Sequence, residues 1–318
     1  MRKAIILYCL LFIYLPFISA EDGSRLWLRF SESEQSKGTV IYKANTPAIS
    51  VAVQELSWYW KGQPVELIID KKLKHLKDGY RIKGDKLKIT ITAGQDAGLL
   101  YGAYHLLCLQ QTNTDISNLN IEEIPSYDIR ILNHWDNLDR TIERGYAGYS
   151  LWKWDELPDI LSPRYKEYAR ANASIGINAT VLNNVNASPD ILKDEYLVKV
   201  KALADIFRPY GIKVYLSVNF SSPKVIGGLE NSDPMNPAVQ KWWKDKATDI
   251  YKLIPDFGGF LVKANSEGQP GQQDYVGTHA VGANMLAEVL KPNNGIVMWR
   301  AFVYNQSKED RAKQAYTG

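Results

Sequence analysis

Cysteine is nearly absent from this 318-residue chain, which carries only Cys9 and Cys108. Two thiols exclude a disulfide-built scaffold and any zinc site made of cysteines. Histidine is scarce too. The four, at 75, 105, 134 and 279, show no metal-ligand spacing, and no Ser-His-Asp or Cys-His arrangement is evident. Neither sign of charge dominates: 38 Lys and Arg face 35 Asp and Glu, a formal net charge of +3. No basic block stands out that could track a phosphate backbone, so nucleic acid is not an expected partner. No glycine-rich phosphate fingerprint follows any predicted strand, which argues against dinucleotide binding. With 45% hydrophobic and 23% charged residues, the composition is that of an ordinary globular protein. What the chain has in quantity is aromatic side chains. Nine Trp and 19 Tyr suit a generous core or surfaces that stack on flat, partly apolar ligands such as sugars.

The first twenty residues read as a secretory signal peptide. Arg2 and Lys3 precede an apolar run over 4–18, then the small pair Ser19-Ala20 and the acidic Glu21-Asp22. The run is short for a membrane span, which needs about 20 apolar residues. Removing Arg2 and Lys3 leaves 36 basic against 35 acidic residues, a net charge of +1. Cys108, in the apolar stretch 104–109, then remains alone as a core thiol. The expected setting is periplasmic or extracellular, with no disulfide and no membrane contact after cleavage.

Beyond the leader the pattern changes near residue 125. Over 21–125, strands at 65–69 and 86–91 alternate with helices at 48–59 and 96–110, and glycines at 94, 98 and 102 suggest a helix packed tightly on a sheet. This predicts a small α/β domain. Over 126–318, strands at 128–132, 179–182, 213–218, 259–263 and 296–299 are separated by helices at 163–174, 197–210, 237–253 and 284–290. Such alternation implies a parallel sheet with crossover helices, and the regular order favours a (β/α)8 barrel. A closed barrel needs eight strands and about 250 residues. The expectation is therefore an α/β fold whose second domain holds the first five strands of a truncated barrel.

Barrel chemistry sits where the strands end. Glu267 lies just past the fourth strand, among glycines and a proline, where a shielded carboxyl can act as a general acid; a surface-loop glutamate is the plainer alternative. Lys263, if its side of the pleat faces inward, points into the barrel mouth to pair with a carboxylate or receive an anionic substrate. Arg300 ends the fifth strand and can grip a carboxylate through two parallel hydrogen bonds, or form a structural ion pair. Trp135 follows the first strand beside polar groups, the usual make-up of a sugar subsite. Val185 sits among three amides after the second. Tyr149, Leu151, Trp152 and Trp154 cluster nearby, which core packing explains equally well. A metal-free, cofactor-free, carboxylate-driven hydrolase acting on sugars fits these residues.

Four segments resemble glycoside hydrolase family 67, the α-glucuronidases of xylan breakdown. They are Leu132-Asn133-His134-Trp135-Asp136-Asn137, Leu182-Asn183-Asn184-Val185-Asn186-Ala187, Val262-Lys263-Ala264-Asn265-Ser266-Glu267-Gly268-Gln269-Pro270-Gly271 and Trp299-Arg300-Ala301-Phe302-Val303-Tyr304. The run Ala93-Gly94-Gln95-Asp96-Ala97-Gly98-Leu99-Leu100-Tyr101-Gly102 resembles the α/β domain that precedes the barrel in this family and in hexosaminidases. The resemblance implies inverting cleavage of the α-1,2 bond between (4-O-methyl)-glucuronic acid and the terminal xylose of glucuronoxylan-derived oligosaccharides. It assigns Glu267 as the general acid, Lys263 and Arg300 as binders of the uronic carboxylate, Trp135 as an active-site tryptophan, and Val185 as a neighbour of the 4-O-methyl group. A homodimeric full-length parent is compatible with it.

An inverting hydrolase needs a second carboxylate about 6.5–9.5 Å from the acid. In the family it comes from an Asp and a Glu on later strands, which this sequence does not contain; Asp136 lies at a strand end but shows no sign of replacing them. The chain alone is thus expected to be inactive. Two other readings stand beside this one: another barrel glycosidase such as a hexosaminidase, and a non-catalytic sugar-binding remnant.

Overall fold

The computed structural model describes residues 23–30, 38–266, 268–275 and 277–301. The leader at 1–20, Cys9 and Glu267 lie outside them.

The first sheet has strands β1 (Val40–Tyr42), β2 (Val65–Ile69), β3 (Tyr80–Gly84), β4 (Ile89–Ala93) and β5 (Leu119–Glu123) in the order β1-β2-β4-β3-β5. β1, β2 and β4 run parallel; β3 is antiparallel to both β4 and β5. Helices α1 (Pro47–Tyr59) and α2 (Asp96–Gln111) pack on it. α1 starts where the Thr46 hydroxyl accepts the Ile49 N–H and Pro47 takes the first turn. α2 lies so close to the sheet that a Cβ on Gly98 would stand 2.5 Å from the Gly79 carbonyl oxygen, and one on Gly102 2.6 Å from Ile91. The strand predicted at 86–91 begins later, because the Asp85 carboxylate accepts the amides of Leu87 and Lys88 and makes a turn of them.

The second sheet contains β6 (Ile131–Asn133), β7 (Ala179–Val181), β8 (Lys213–Val218), β9 (Gly259–Ala264) and β10 (Ile296–Ala301). All are parallel and ordered as in the chain. Between them lie α3 (Pro163–Ala173), α4 (Asp194–Phe207), the short α5 (Ser222–Val225), α6 (Pro237–Leu253) and α7 (His279–Leu290). Ser162 caps α3 as its sequence predicts, accepting the Arg164 N–H. β6 starts later than expected: Arg130 gives its N–H to the Asn178 side chain, and the Asp128 carbonyl accepts from the same amide, so side-chain bonds replace the ladder there.

The pleat sorts the strand residues into two sets. Val214, Leu216, Val218, Phe260, Val262 and Ala264 join the main core under the helices. Ala179, Val181, Tyr215 and Leu261 form a second, smaller cluster on the other face, with Ile131, Ile296 and Met298 against it. A parallel sheet in chain order, helices on one face and a separate apolar filling on the other, is the first half of a (β/α)8 barrel. Four of the nine tryptophans (Trp60, Trp152, Trp154 and Trp243) are fully buried, so much of the aromatic surplus is core. Among the described residues no helix is long and apolar enough to cross a membrane.

Polar contacts tie the two layers together, two of them through carboxylates. Arg170 of α3 makes a two-pronged ion pair with Glu55 of α1, Nη2 to Oε2 at 2.7 Å. Arg130 and Asn178 both donate to the Asp78 carboxylate, at 2.9 and 3.1 Å.

Candidate active site at the strand ends

The pleat alone orients the two cations. Lys263 shares a face with Leu261, and Arg300 shares one with Met298, so both side chains stand on the inner side of the curled sheet. β9 and β10 pair with Lys263 opposite Arg300, which puts the two at the same height near the strand ends.

Lys263 is 3% exposed, an expensive position for an ammonium group unless it is hydrogen-bonded. Its Nζ donates to Asn186 Oδ1 at 2.9 Å. The Arg300 guanidinium lies over the Trp135 ring, 5.8 Å from its centroid. Trp135 packs against the inner apolar cluster to which the buried Val185 belongs. The structure thus brings together four of the five residues singled out in the sequence: Lys263, Arg300, Trp135 and Val185. The fifth, Glu267, lies outside the described residues.

The loops that carry these groups are held by side-chain amides. After β7, Asn183 exchanges hydrogen bonds with the Ser217 backbone of β8, at 2.9 Å in each direction. Asn184 donates to Asn137 Oδ1 and to the Glu143 carbonyl, and its own Oδ1 accepts the Asn186 N–H. After β9, Asn265 takes up φ +49° and donates to Asp274 at 3.0 Å, while Asp274 also accepts the Gly271 N–H. A Cβ on Gly271 would fall 2.1 Å from Asn265 Oδ1, so glycine is required beside this clamp.

Other candidates turn out to be structural. His134 Nε2 meets the Tyr168 hydroxyl at 2.8 Å, and its Nδ1 lies 3.6 Å from the buried Asp136 carboxylate. Burial pushes the Tyr168 phenol above its usual range, so it stays neutral. Asp136 therefore belongs to a network running back to Thr180. Trp152 and Trp154 are 0% and 1% exposed, which makes them core residues and not a sugar surface. Glu143 escaped the sequence reading. It has a φ of +57°, uncommon outside glycine, while its N–H donates to the Trp135 carbonyl at 2.8 Å and its carbonyl accepts from Asn137 and Asn184. Nothing in its sequence context signals that geometry.

Two adjacent cations, an indole and an apolar wall can receive a ring that carries a carboxylate on one side and an apolar face on the other. Comparison with known proteins points the same way. Residues 109–318 match the sequence model of the glycosyl hydrolase family 67 middle domain. A probable alpha-glucuronidase A from Aspergillus clavatus is 46% identical over 231 residues, 72% of this chain and 27% of the relative. The alpha-glucuronidase of Hypocrea jecorina is 42% identical over 258 residues, 78% and 30% of the two chains. Alpha-glucuronidase A of Emericella nidulans is 40% identical over 285 residues, 85% and 33%. The chain therefore spans about a third or less of the length of these relatives. Among solved structures, a GH138 enzyme targeting pectin rhamnogalacturonan II aligns with TM-score 0.54 at 16% identity, covering 80% of this chain and 33% of that one. A beta-N-acetylhexosaminidase from Bacteroides fragilis aligns at 0.52 and 13% identity, covering 87% and 65%. These two likenesses speak for the fold. Match, identity and strand order agree: this chain belongs to glycosyl hydrolase family 67.

Proposed function

We propose that the chain is the part of an α-glucuronidase that binds the uronic acid and supplies the general acid. The reaction is inverting cleavage of the α-1,2 bond from (4-O-methyl)-glucuronic acid to a xylooligosaccharide in xylan breakdown. The observation that carries the reading is the side-by-side placement of Lys263 and Arg300 on the inner face, with Trp135 against the guanidinium. Two cations at one height match the two oxygens of a carboxylate. Trp135, packed on the cluster that contains the buried Val185, gives the apolar wall, and the family resemblance assigns Val185 to the neighbourhood of the 4-O-methyl group. Glu267, a few residues beyond Lys263, protonates the departing xylose oxygen.

The reading takes 21–125 as an α/β domain ahead of a barrel that starts near 126. It takes 1–20 as an export signal, which places the work in the periplasm or outside the cell. Inversion also needs a carboxylate base on the opposite sugar face. We assign that base to barrel strands that follow these five.

The test is Glu267→Gln in a full-length family member carrying this segment. Release of glucuronic acid from aldouronic oligosaccharides should collapse while substrate affinity is kept. An unchanged rate would refute the acid assignment.

A further inference from the structure

Lysine is a flexible four-carbon stem, and a carboxylate site gains from one only when the ammonium is held in place. Lys263 is held from outside its own strand. Its ammonium has donors and no acceptor, so the amide atom of Asn186 that faces it at 2.9 Å must be the oxygen. That fixes the Asn186 amide orientation. Its Nδ2 hydrogens have no acceptor among the described residues.

Asn186 is itself anchored by a relay of amides. Its N–H donates to Asn184 Oδ1 at 2.9 Å. Asn184 donates to Asn137 Oδ1 at 2.9 Å, and Asn137 donates to Thr141 Oγ1 at 2.9 Å and to the Glu143 carbonyl at 2.8 Å. The relay starts in the loop after β6, passes through the loop after β7 and ends on the β9 ammonium, so three strand ends set one charge.

We propose that Asn186 is a positioning residue that fixes the Lys263 ammonium toward the sugar carboxylate and so sets the preference for an anionic over a neutral sugar. The inference rests on the uronate-binding reading above. It concerns charge selectivity and assigns Asn186 no part in bond cleavage.

The test is calorimetric titration of the chain with methyl α-glucuronide and with its neutral counterpart, methyl α-glucoside. Asn186→Ala should weaken glucuronide binding about tenfold, the scale of one hydrogen bond to a charged group, and leave glucoside binding essentially as it was. Asn186→Asp keeps an acceptor toward Lys263 but adds a negative charge beside the site, so glucuronide binding should fall further still. Circular dichroism on both variants checks that they fold. A folded Asn186→Ala chain that keeps full glucuronide affinity, or loses both sugars equally, overturns the inference alone. A parent chain with no preference for the glucuronide overturns the uronate reading and this inference with it.

Discussion

Arg300 and Trp135 belong to opposite edges of one sheet, yet the guanidinium lies over the indole, 5.8 Å from its centroid. Only a curled sheet allows this, since β6 and β10 are separated by three intervening strands. A guanidinium over an indole gains a cation–π attraction that a neutral side chain there would not have.

Arg300→Lys keeps the charge and loses the planar fork. Methyl α-glucuronide affinity should drop about tenfold, or about 1.4 kcal/mol, in a calorimetric titration. Equal affinity for the two proteins would show that charge alone matters there.

Lys263 places an ammonium in a buried position, at a cost to folding. Lys263→Met should abolish glucuronide preference while changing unfolding stability by no more than about 1 kcal/mol, because the lost bond to Asn186 offsets the relief of an ammonium that is 3% exposed. Urea unfolding of both proteins measures it, and a large loss of stability would mean the ammonium is a structural keystone.

The two sheets are joined by Glu55 and Arg170. Burial works against the Arg170 charge, but the bonded Glu55 carboxylate outweighs it and holds the guanidinium above its usual range. Glu55→Ala should cost about 3 kcal/mol, the low end for a buried pair, by leaving the half-buried Arg170 cation without its carboxylate, whereas Glu55→Leu with Arg170→Met should recover most of it. A double-mutant cycle on urea midpoints decides whether the pair couples.

His105 should impose a pH dependence on stability. Burial lowers its imidazole below the ordinary value, with Glu123 partly opposing, and its Nδ1 meets the Tyr80 hydroxyl at 2.8 Å. A folded value below the unfolded one, about 6.5, means the unfolded chain binds the proton more readily. The contribution is complete above that pH and is lost as pH falls toward and through the folded value. Thermal midpoints between pH 8 and 5 should fall less steeply for His105→Gln than for the parent, and parallel curves would remove His105 as the cause.

Sequence pattern reaches far into this fold, and its failures have physical causes. β8 and β9 are continuous apolar runs buried on both faces, so they read as barrel strands without help, and Ser162-Pro163 marks the start of α3. β1, β3 and β5 escaped, being short strands with no buried position in β1 and one each in β3 and β5. Trp152 and Trp154 have the composition of a sugar surface and the burial of a core, a distinction that tertiary packing alone makes. The site was legible as residues at strand ends. Its wiring was not: the bond from Lys263 to Asn186 joins positions in different loops, and no local spacing encodes it.

The strand order of the second sheet bears on how the molecule is made. Each strand pairs with the one synthesised just before it, so every β-α unit can dock as it leaves the ribosome, with little entropy lost to closing long loops. Trp135 waits just past the first strand until Arg300 arrives with the fifth. Tryptophan emission from Trp135, read during refolding, should therefore be a late signal that the binding face has formed.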